Sequence, residues 1–300
     1  MTEFHWVNHQ PSPLKLHTFL KHRGVTRSQL KRIKFHGGAI LVNQQPRYPH
    51  TMLQPGDRIT LCLPPEPQNP HLQVSHHPVQ ILFEDDNYLI VNKPANVATV
   101  PSHLYPNDTL VNRVLGYYCR KETENRVIHV VNRLDRGTSG PVIFAKHSFA
   151  HSLVDRQLQQ HRVRKEYVAV VTGRVVNEHA SIVLPIGRKP GSFLARMVLA
   201  TGRYSRTEFW RVASTDQHTL VKIRLHTGRT HQIRVHFAAL GLPLVGDWLY
   251  NPTNHELDHQ ALHCYRIAFW DQLGQQMITV TTPWPAELRQ LMQPKKSFPG

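Results

Sequence analysis

The feature that most constrains the fold is a set of short apolar runs with the length and residue types of buried strands. These runs cluster along the chain, and amphipathic patterns that predict helices stand apart from them at 110–118 and 149–160. A parallel sheet needs strands that alternate with crossover helices, so the pattern favours an α+β fold. We therefore expect a mixed, largely antiparallel central sheet flanked by helices. The runs occupy residues 81–83, 88–91, 141–145, 167–171 and 220–225.

A proline-rich segment at 64–70 separates a small N-terminal part of the chain from a larger C-terminal part. Its sequence, P-P-E-P-Q-N-P, is typical of an extended, semi-rigid connection. We expect a small α/β module at 11–63, a linker at 64–78 and a catalytic domain at 79–300. The length of 300 residues suits two domains of this kind.

The charge of the chain is strongly basic and unevenly distributed. Lys and Arg total 36 against 20 Asp and Glu, which gives a net charge of +16. Nine basic residues and one acid fall within 11–63, so half of the excess lies there. Such a surface indicates a polyanionic partner, nucleic acid before acidic membrane, although a merely solvated basic face is the alternative. A helix capped by Thr26 is expected to carry Arg27, Lys31, Arg32 and Lys34.

The cysteines and the apolar content exclude several classes of protein. Cys62, Cys119 and Cys264 lie far apart, which excludes a disulfide scaffold and a cysteine-built zinc module and fits a reducing compartment. Hydrophobic residues make up 40% of the chain, which argues against general disorder. No secretory signal and no run of eighteen apolar residues is visible, so we expect a cytoplasmic protein with no membrane partner.

One acidic residue, Asp135, stands between two arginines in a glycine-containing stretch that follows an apolar run. The stretch at 132–140 reads N-R-L-D-R-G-T-S-G. Nearby positive charge lowers the pKa of a carboxyl group and keeps it ionised, and arginine also binds phosphate. The pattern therefore indicates a candidate site. A salt bridge in a surface turn is the alternative interpretation.

The same stretch resembles the H-R-L-D-x-x-T-S-G motif of the RluA-type RNA pseudouridine synthases, with Asn132 in place of the usual His. Two later segments resemble the same family in the same order. K-E-Y-V-A-V-V-T-G at 165–173 resembles K-x-Y-x-A-x-V-x-G, and residues 227–236 match T-G-R-T-H-Q-I-R-V-H. Residues 84–94 also resemble the opening strand of the family, so the likeness covers nearly the whole C-terminal part.

The resemblance implies an isomerase that converts uridine in RNA to its carbon-linked isomer, without a metal or a cofactor. At the matched positions, Asp135 would be the nucleophilic or electrostatic carboxylate that acts on a flipped-out uridine. Arg234 would be its salt-bridge partner, and Tyr167 would stack on the uracil and could share in proton transfer. Arg133 would help to hold the nucleotide out of the stack.

The N-terminal part resembles, less strictly, the RNA-binding module named after ribosomal small-subunit protein four. Residues 19–30 and 40–43 resemble the two helices and the following hairpin of that module. The implied partner is structured RNA, with ribosomal RNA weakly preferred over transfer RNA and no obligatory protein partner. Arg229 and Gln232, in the third motif, are further expected RNA contacts. A basic helical cap packed on the catalytic domain is the alternative.

A rival motif lies at 255–259, where His255, Glu256 and His259 satisfy H-E-x-x-H. On a helix the two histidines would share a face and could bind zinc, as in a metallopeptidase. Pro252 and the neighbouring asparagines instead predict a loop, so the zinc enzyme is a minor alternative. A second alternative is an RNA-binding protein that has lost catalysis. The joint presence of Asp135, Tyr167 and Arg234 argues against it.

Overall fold

In the computed structural model, which describes residues 2–293, the N-terminal part is a four-stranded antiparallel sheet packed on two helices. The sheet order is β1-β6-β3-β4, and a separate short pair joins β2 to β5. The strands are β1 (Glu3–Val7), β2 (Leu14–Lys15), β3 (Ala39–Val42), β4 (Gln45–Pro46), β5 (Met52–Leu53) and β6 (Arg58–Cys62). The helices are α1 (Leu16–His22) and α2 (Arg27–Phe35).

Helix α2 begins where the sequence predicts. The Thr26 hydroxyl accepts a hydrogen bond from the Gln29 backbone N–H at 3.2 Å, and the Gln29 side chain accepts one from the Thr26 N–H at 2.8 Å. This reciprocal capping satisfies two backbone donors that the first turn of a helix leaves unpaired. Strand β1, ahead of the module boundary expected at residue 11, pairs with β6 along its whole length.

The N-terminal part shares its hydrophobic core with the rest of the chain. Phe149 and Leu153, both buried in a helix of the larger part, join the apolar cluster that α1, α2 and the strands form. Phe4 meets the Phe149 ring edge-on at a centroid distance of 5.0 Å. The side chain of Gln29 donates to the Ser152 hydroxyl at 2.9 Å. The two parts are thus packed together rather than only connected.

The proline-rich segment contributes one charged contact to this junction. The Glu66 carboxylate lies 3.4 Å from Nη2 of Arg32 on α2 and 2.6 Å from Nε2 of His129 in the larger part. Burial by itself would raise the pKa of Glu66, but hydrogen bonds from His129, Ser148 and Asn125 and the charge of His129 lower it to about 2. Glu66 therefore ties the segment at 64–70 to both parts of the chain.

The larger part contains two antiparallel sheets, of order β7-β8-β10-β9 and β12-β15-β16-β11-β17-β18. The first sheet comprises β7 (Gln80–Glu84), β8 (Tyr88–Lys93), β9 (His129–Val130) and β10 (Gly140–Ala145). The second comprises β11 (Arg164–Thr172), β12 (His179–Val183), β15 (Arg206–Ser214), β16 (His218–Leu225), β17 (Leu262–Asp271) and β18 (Gln276–Thr281), beside a hairpin of β13 (Ile186–Arg188) and β14 (Arg196–Val198). The helices are α3 (Leu110–Arg120), α4 (Ser148–Gln159), α5 (Gln232–Ala239) and α6 (Ala286–Gln290).

The predicted α+β class is confirmed, and the predicted apolar runs all fall in strands. Within residues 2–293 the paired strands are antiparallel, and the parallel contact is an isolated bridge between Ser139 and His263. That bridge joins the start of β10 to β17 and so connects the two sheets. No helix in this described range is long and apolar enough to cross a membrane.

Strand β11 shows how the sequence pattern builds the core beneath the site. Tyr167, Ala169 and Val171 face one hydrophobic cluster, and the alternate residues Val168 and Val170 face another. A strand buried on both faces has no polar positions to alternate with, which explains the continuous apolar run. Strands β16 and β17 flank β11 on its two sides.

Candidate active site

The loop that carries Asp135 runs from β9 to β10 and is held by hydrogen bonds on both sides. The Thr99 hydroxyl donates to the Leu134 carbonyl at 2.8 Å, and the Thr138 N–H donates to the Asp135 carbonyl at 3.0 Å. Gly140 ends the loop at φ 123°, in close contact with the backbone of Cys264. A side chain at position 140 would collide with that backbone, so glycine is required where the loop approaches β17.

Asn132, which stands where the family usually has His, anchors the start of this loop through its side-chain hydrogen bonds. Its side-chain oxygen accepts a hydrogen bond from the Ile143 N–H at 2.7 Å, and its amide donates to the Pro141 carbonyl at 3.5 Å. The side chain is buried, and both contacts are to β10. Asn132 thus fixes the start of the loop against the strand that follows it.

Two carboxylates of different character bind Arg234, which lies on α5. Asp247 holds the guanidinium in a bidentate pair, with Nε–Oδ2 at 2.7 Å and Nη2–Oδ1 at 2.8 Å, and its side chain is 0% exposed. Asp135 accepts a single bond from Nη1 at 3.3 Å, and its side chain is 29% exposed. Burial would lower the pKa of Arg234, but the hydrogen bonds and charge of Asp247, with the charge of Asp135, raise it.

Within the described part of the chain, this arrangement leaves one oxygen of Asp135 unpaired at the cavity. Oδ1 of Asp135 makes no hydrogen bond or ion pair with any residue in 2–293, whereas Oδ2 meets Arg234. Asp247 binds two nitrogens of the guanidinium, so Asp135 pairs with the third through one oxygen and is not fully covered. The free oxygen of Asp135 can therefore approach a substrate.

A cavity of about 1180 Å³ lies in front of Asp135. It exceeds the 300–1,000 Å³ or so typical of pockets for small ligands, and so it suits a piece of a larger polymer. Arg136 lies over the Tyr105 ring, with Cζ 4.9 Å from its centroid, and both residues line the cavity. Its other lining residues include Arg133, Lys165, Phe193, Arg229, His231, Arg234 and Trp248.

Tyr167 lies in β11, is only 5% exposed and is not one of the residues that line the cavity. Burial, then the charges of Cys264 and Asp135, hold the pKa of its phenol well above the usual range. The phenol therefore stays protonated, so it can donate a hydrogen bond but cannot act as a base. Because its ring is nearly covered, only a small part of it is open to contact with a base.

The structure gathers some of the predicted residues and separates others. Arg133 and Arg229 line the cavity with Asp135 and Arg234. Gln232, expected as an RNA contact, is 2% exposed. Its side chain accepts from the Thr227 hydroxyl and the Arg229 N–H and donates to the Arg206 carbonyl and the Thr207 hydroxyl, so the amide is fully used within the protein.

On α2 the four predicted basic residues do not share one surface. Arg27, Lys31 and Lys34 are exposed, as their spacing of four and three residues on one helical face allows. Arg32 points elsewhere, because it pairs with Glu66.

Sequence reasoning missed the roles of Asp247 and Tyr250. Both follow the motif that ends at His236: Asp247 ends the stretch L-P-L-V-G-D at 242–247, and Tyr250 lies three residues later. The charge pattern there gave no sign that a carboxylate would reach Arg234. Lys93, fully buried, was missed as well. Its ammonium donates to the carbonyls of Pro94, Val97 and Arg136 at 2.7–2.9 Å, and so it holds the Asp135 loop against β8.

Comparison with known proteins decides the family. Residues 87–239 match the family described as RNA pseudouridylate synthase. The chain belongs to this family. It is 36% identical over 270 residues to "Uncharacterized RNA pseudouridine synthase YjbO" of Bacillus subtilis (strain 168), covering 90% of this chain and 95% of the relative. It is 33% identical to the ribosomal large subunit pseudouridine synthase D of Nitrosomonas europaea, covering 74% of this chain and 67% of the relative.

A solved structure, human RNA pseudouridylate synthase domain containing 1, has the same fold. Its TM-score is 0.58 at 24% identity, and the match covers 70% of this chain and 84% of that one. For human RNA pseudouridylate synthase domain containing 4 the TM-score is 0.57 at 18% identity. That match covers 70% of this chain and 93% of the other. Membership of the family makes this synthase an isomerase that converts uridine in RNA to pseudouridine.

The H-E-x-x-H stretch lacks the geometry that a zinc peptidase needs. Residues 251–261 form turns and bends rather than a helix, so His255 and His259 do not lie one helical turn apart on one face. Glu256 binds His218 at 3.1 Å, and His259 binds Glu287 at 3.3 Å. No group of three or more potential metal ligands occurs among residues 2–293.

Proposed function

We propose that this synthase modifies ribosomal RNA and that Asp135 is the carboxylate that acts on the flipped-out uridine. In the isomerisation the bond from C1′ to N1 breaks and a bond from C1′ to C5 forms, while C5 loses a proton and N1 gains one. The carboxylate must stay ionised beside a sugar that develops positive character. The observation that carries the proposal is the Asp135–Arg234–Asp247 network, with one free oxygen of Asp135 at the cavity.

Two further residues have proposed roles at the same site. Tyr167 would contact the uracil through its small exposed part and keep its phenolic proton available for N1. Arg133, exposed at the cavity wall two residues before Asp135, would contact the RNA backbone and hold the nucleotide out of the stack. Arg229, also at the cavity, would bind a neighbouring phosphate.

For the N-terminal part we propose a module that binds structured RNA, like that of ribosomal small-subunit protein four. We place it at 3–63, since β1 completes its sheet, with the linker at 64–78 and the catalytic domain at 79–300. Arg27, Lys31 and Lys34 are its proposed phosphate contacts. We leave Arg32 and Gln232 out of the proposed RNA contacts, because both are engaged within the protein.

The preference for ribosomal RNA is supported by relatives named as ribosomal large subunit pseudouridine synthase D, from Nitrosomonas europaea and Xanthomonas campestris. A ribosomal RNA substrate would place the enzyme in the cytoplasm, and three free cysteines suit that compartment.

The test is to map pseudouridine across total RNA from cells with and without the gene. We expect the deletion to remove pseudouridine from ribosomal RNA, and the wild-type gene to restore it. The Asp135→Asn variant should fail to restore it, whereas Asp216→Asn, a change at an exposed turn, should succeed. Loss confined to transfer RNA would overturn the ribosomal assignment. Restoration by the Asp135→Asn variant would overturn the role of Asp135.

A further inference from the structure

His231 is a second polar neighbour of Asp135, in addition to Arg234. It precedes α5 with a left-handed backbone, at φ 56°, and its side chain is 8% exposed. Nε2 lies 3.9 Å from Oδ2 of Asp135, and Nδ1 lies 3.0 Å from the Tyr250 hydroxyl. Which ring nitrogen carries the proton decides what His231 presents to the carboxylate.

The hydrogen bonds around Tyr250 favour one of the two tautomers. The backbone N–H of Arg196 donates to the Tyr250 oxygen at 2.9 Å, so this oxygen already acts as an acceptor. The single phenolic hydrogen is not used in that bond and is available for Nδ1 of His231, 3.0 Å away. Burial lowers the pKa of His231, so the ring is neutral and has one proton. When Nδ1 accepts the Tyr250 hydrogen, that proton is on Nε2, the nitrogen that faces Asp135.

Tyr250 also contacts the other partner of Asp135. Its ring lies under the Arg234 guanidinium, with Cζ 5.1 Å from the centroid, and meets the His231 ring edge-on at 5.8 Å. Its backbone N–H donates to Oδ1 of Asp247 at 3.2 Å. Tyr250 therefore touches each of the groups that surround the carboxylate.

We infer that Tyr250 is a positioning residue for the isomerisation: it fixes His231 in the tautomer whose Nε2–H faces Asp135. The inference depends on the proposed role of Asp135. An N–H directed at the carboxylate orients it without neutralising it, whereas the other tautomer would set a lone pair against an anion. At 3.9 Å the contact is longer than a hydrogen bond, so it acts through the dipole of the N–H group.

The hydroxyl of Tyr250 can be removed while its ring is kept. In the full chain, Tyr250→Phe should lower kcat about three- to tenfold, the size expected for one lost hydrogen bond, and leave KM within about twofold. Assays would use a transcribed ribosomal RNA fragment that contains the mapped uridine. The matched control is Tyr118→Phe in α3, because the Tyr118 hydroxyl has no hydrogen-bond partner within residues 2–293.

A second readout reports the tautomer itself. With ¹⁵N-labelled histidine, the His231 signal, assigned by its loss in His231→Gln, should show a protonated Nε2 in the wild type and in Tyr118→Phe. Tyr250→Phe should move it toward the other tautomer. An unchanged tautomer, an unchanged kcat, or a loss seen only in KM would overturn the inference. Activity of Asp135→Asn would instead overturn the proposed function, so the two failures are distinguishable.

Discussion

Asp247→Asn should destabilise the synthase far more than Asp135→Asn, although both carboxylates bind Arg234. The Asp247 side chain is 0% exposed and accepts two short charge-assisted bonds, whereas Asp135 is 29% exposed and accepts one at 3.3 Å. An Asn at 247 keeps one acceptor and turns an N–H donor toward the guanidinium. Arg234 would then be buried without its main counter-charge.

The magnitudes follow from burial. Breaking a buried ion pair by removal of one partner costs about 3–5 kcal/mol, and the acceptor that Asn retains favours the lower end, about 3 kcal/mol. The partly exposed contact of Asp135 is worth about 1 kcal/mol or less. At about 2 °C per kcal/mol for a chain of this size, Asp247→Asn should lower the melting temperature by about 6 °C.

The assay is thermal and urea unfolding of the two variants beside the wild type, with pseudouridine formation measured on the same preparations. Asp216→Asn, at an exposed turn, is the matched control and should stay within about 0.5 kcal/mol of the wild type. We expect both site variants to lose turnover but only Asp247→Asn to lose much stability. Equal unfolding midpoints for the two would refute the division between a structural and a reacting carboxylate.

Further expectations concern other parts of the molecule. Tyr167→Phe should bind RNA normally but turn over slowly, and full activity would limit Tyr167 to a platform. Replacing Arg27, Lys31 and Lys34 with Ala should lower the slope of log affinity against log salt by about two to three, and an unchanged slope would mean that α2 makes no phosphate contact. The Glu66 carboxylate, with its pKa lowered from 4.5 to about 2, stabilises the fold above pH 4.5 and loses this effect as pH falls toward 2. Between pH 5 and pH 2 the free energy of unfolding should therefore fall by about 3 kcal/mol less in Glu66→Gln than in the wild type. Parallel pH profiles of the two free energies would contradict this.

Much of the fold could be predicted because its signals are local. The apolar run at 167–171 indicates a strand, and Thr26 marks the start of a helix. The order β12-β15-β16-β11-β17-β18 could not be read from the sequence, since pairing depends on contacts between distant residues. Strand β1 was missed because its pairing with β6 joins residues more than fifty positions apart, and the module was expected to begin only at residue 11.

Some residues of the site could likewise be predicted from local sequence, and others could not. Asp135 was recognisable because arginines flank it in the sequence and a family motif surrounds it. Asp247 reaches Arg234 from 13 residues away, through the turn after α5, and no local pattern predicts that contact. The tautomer of His231 depends on three groups from separate segments, and the role of Glu66 depends on a docked module. Such features exist only once the tertiary structure is formed.

The junction between the two parts also decides which experiment can separate RNA affinity from catalysis. Phe149 and Leu153 of α4 are buried in the core that the N-terminal part completes. At about 1.5–3 kcal/mol for each buried side chain, they contribute about 3–6 kcal/mol to holding the module in place. Truncation at residue 64 would expose them, so a loss of activity would report damage to the catalytic domain as much as lost RNA binding. Replacing the exposed charges of α2 leaves this core intact, and a change in affinity then reports the phosphate contacts alone.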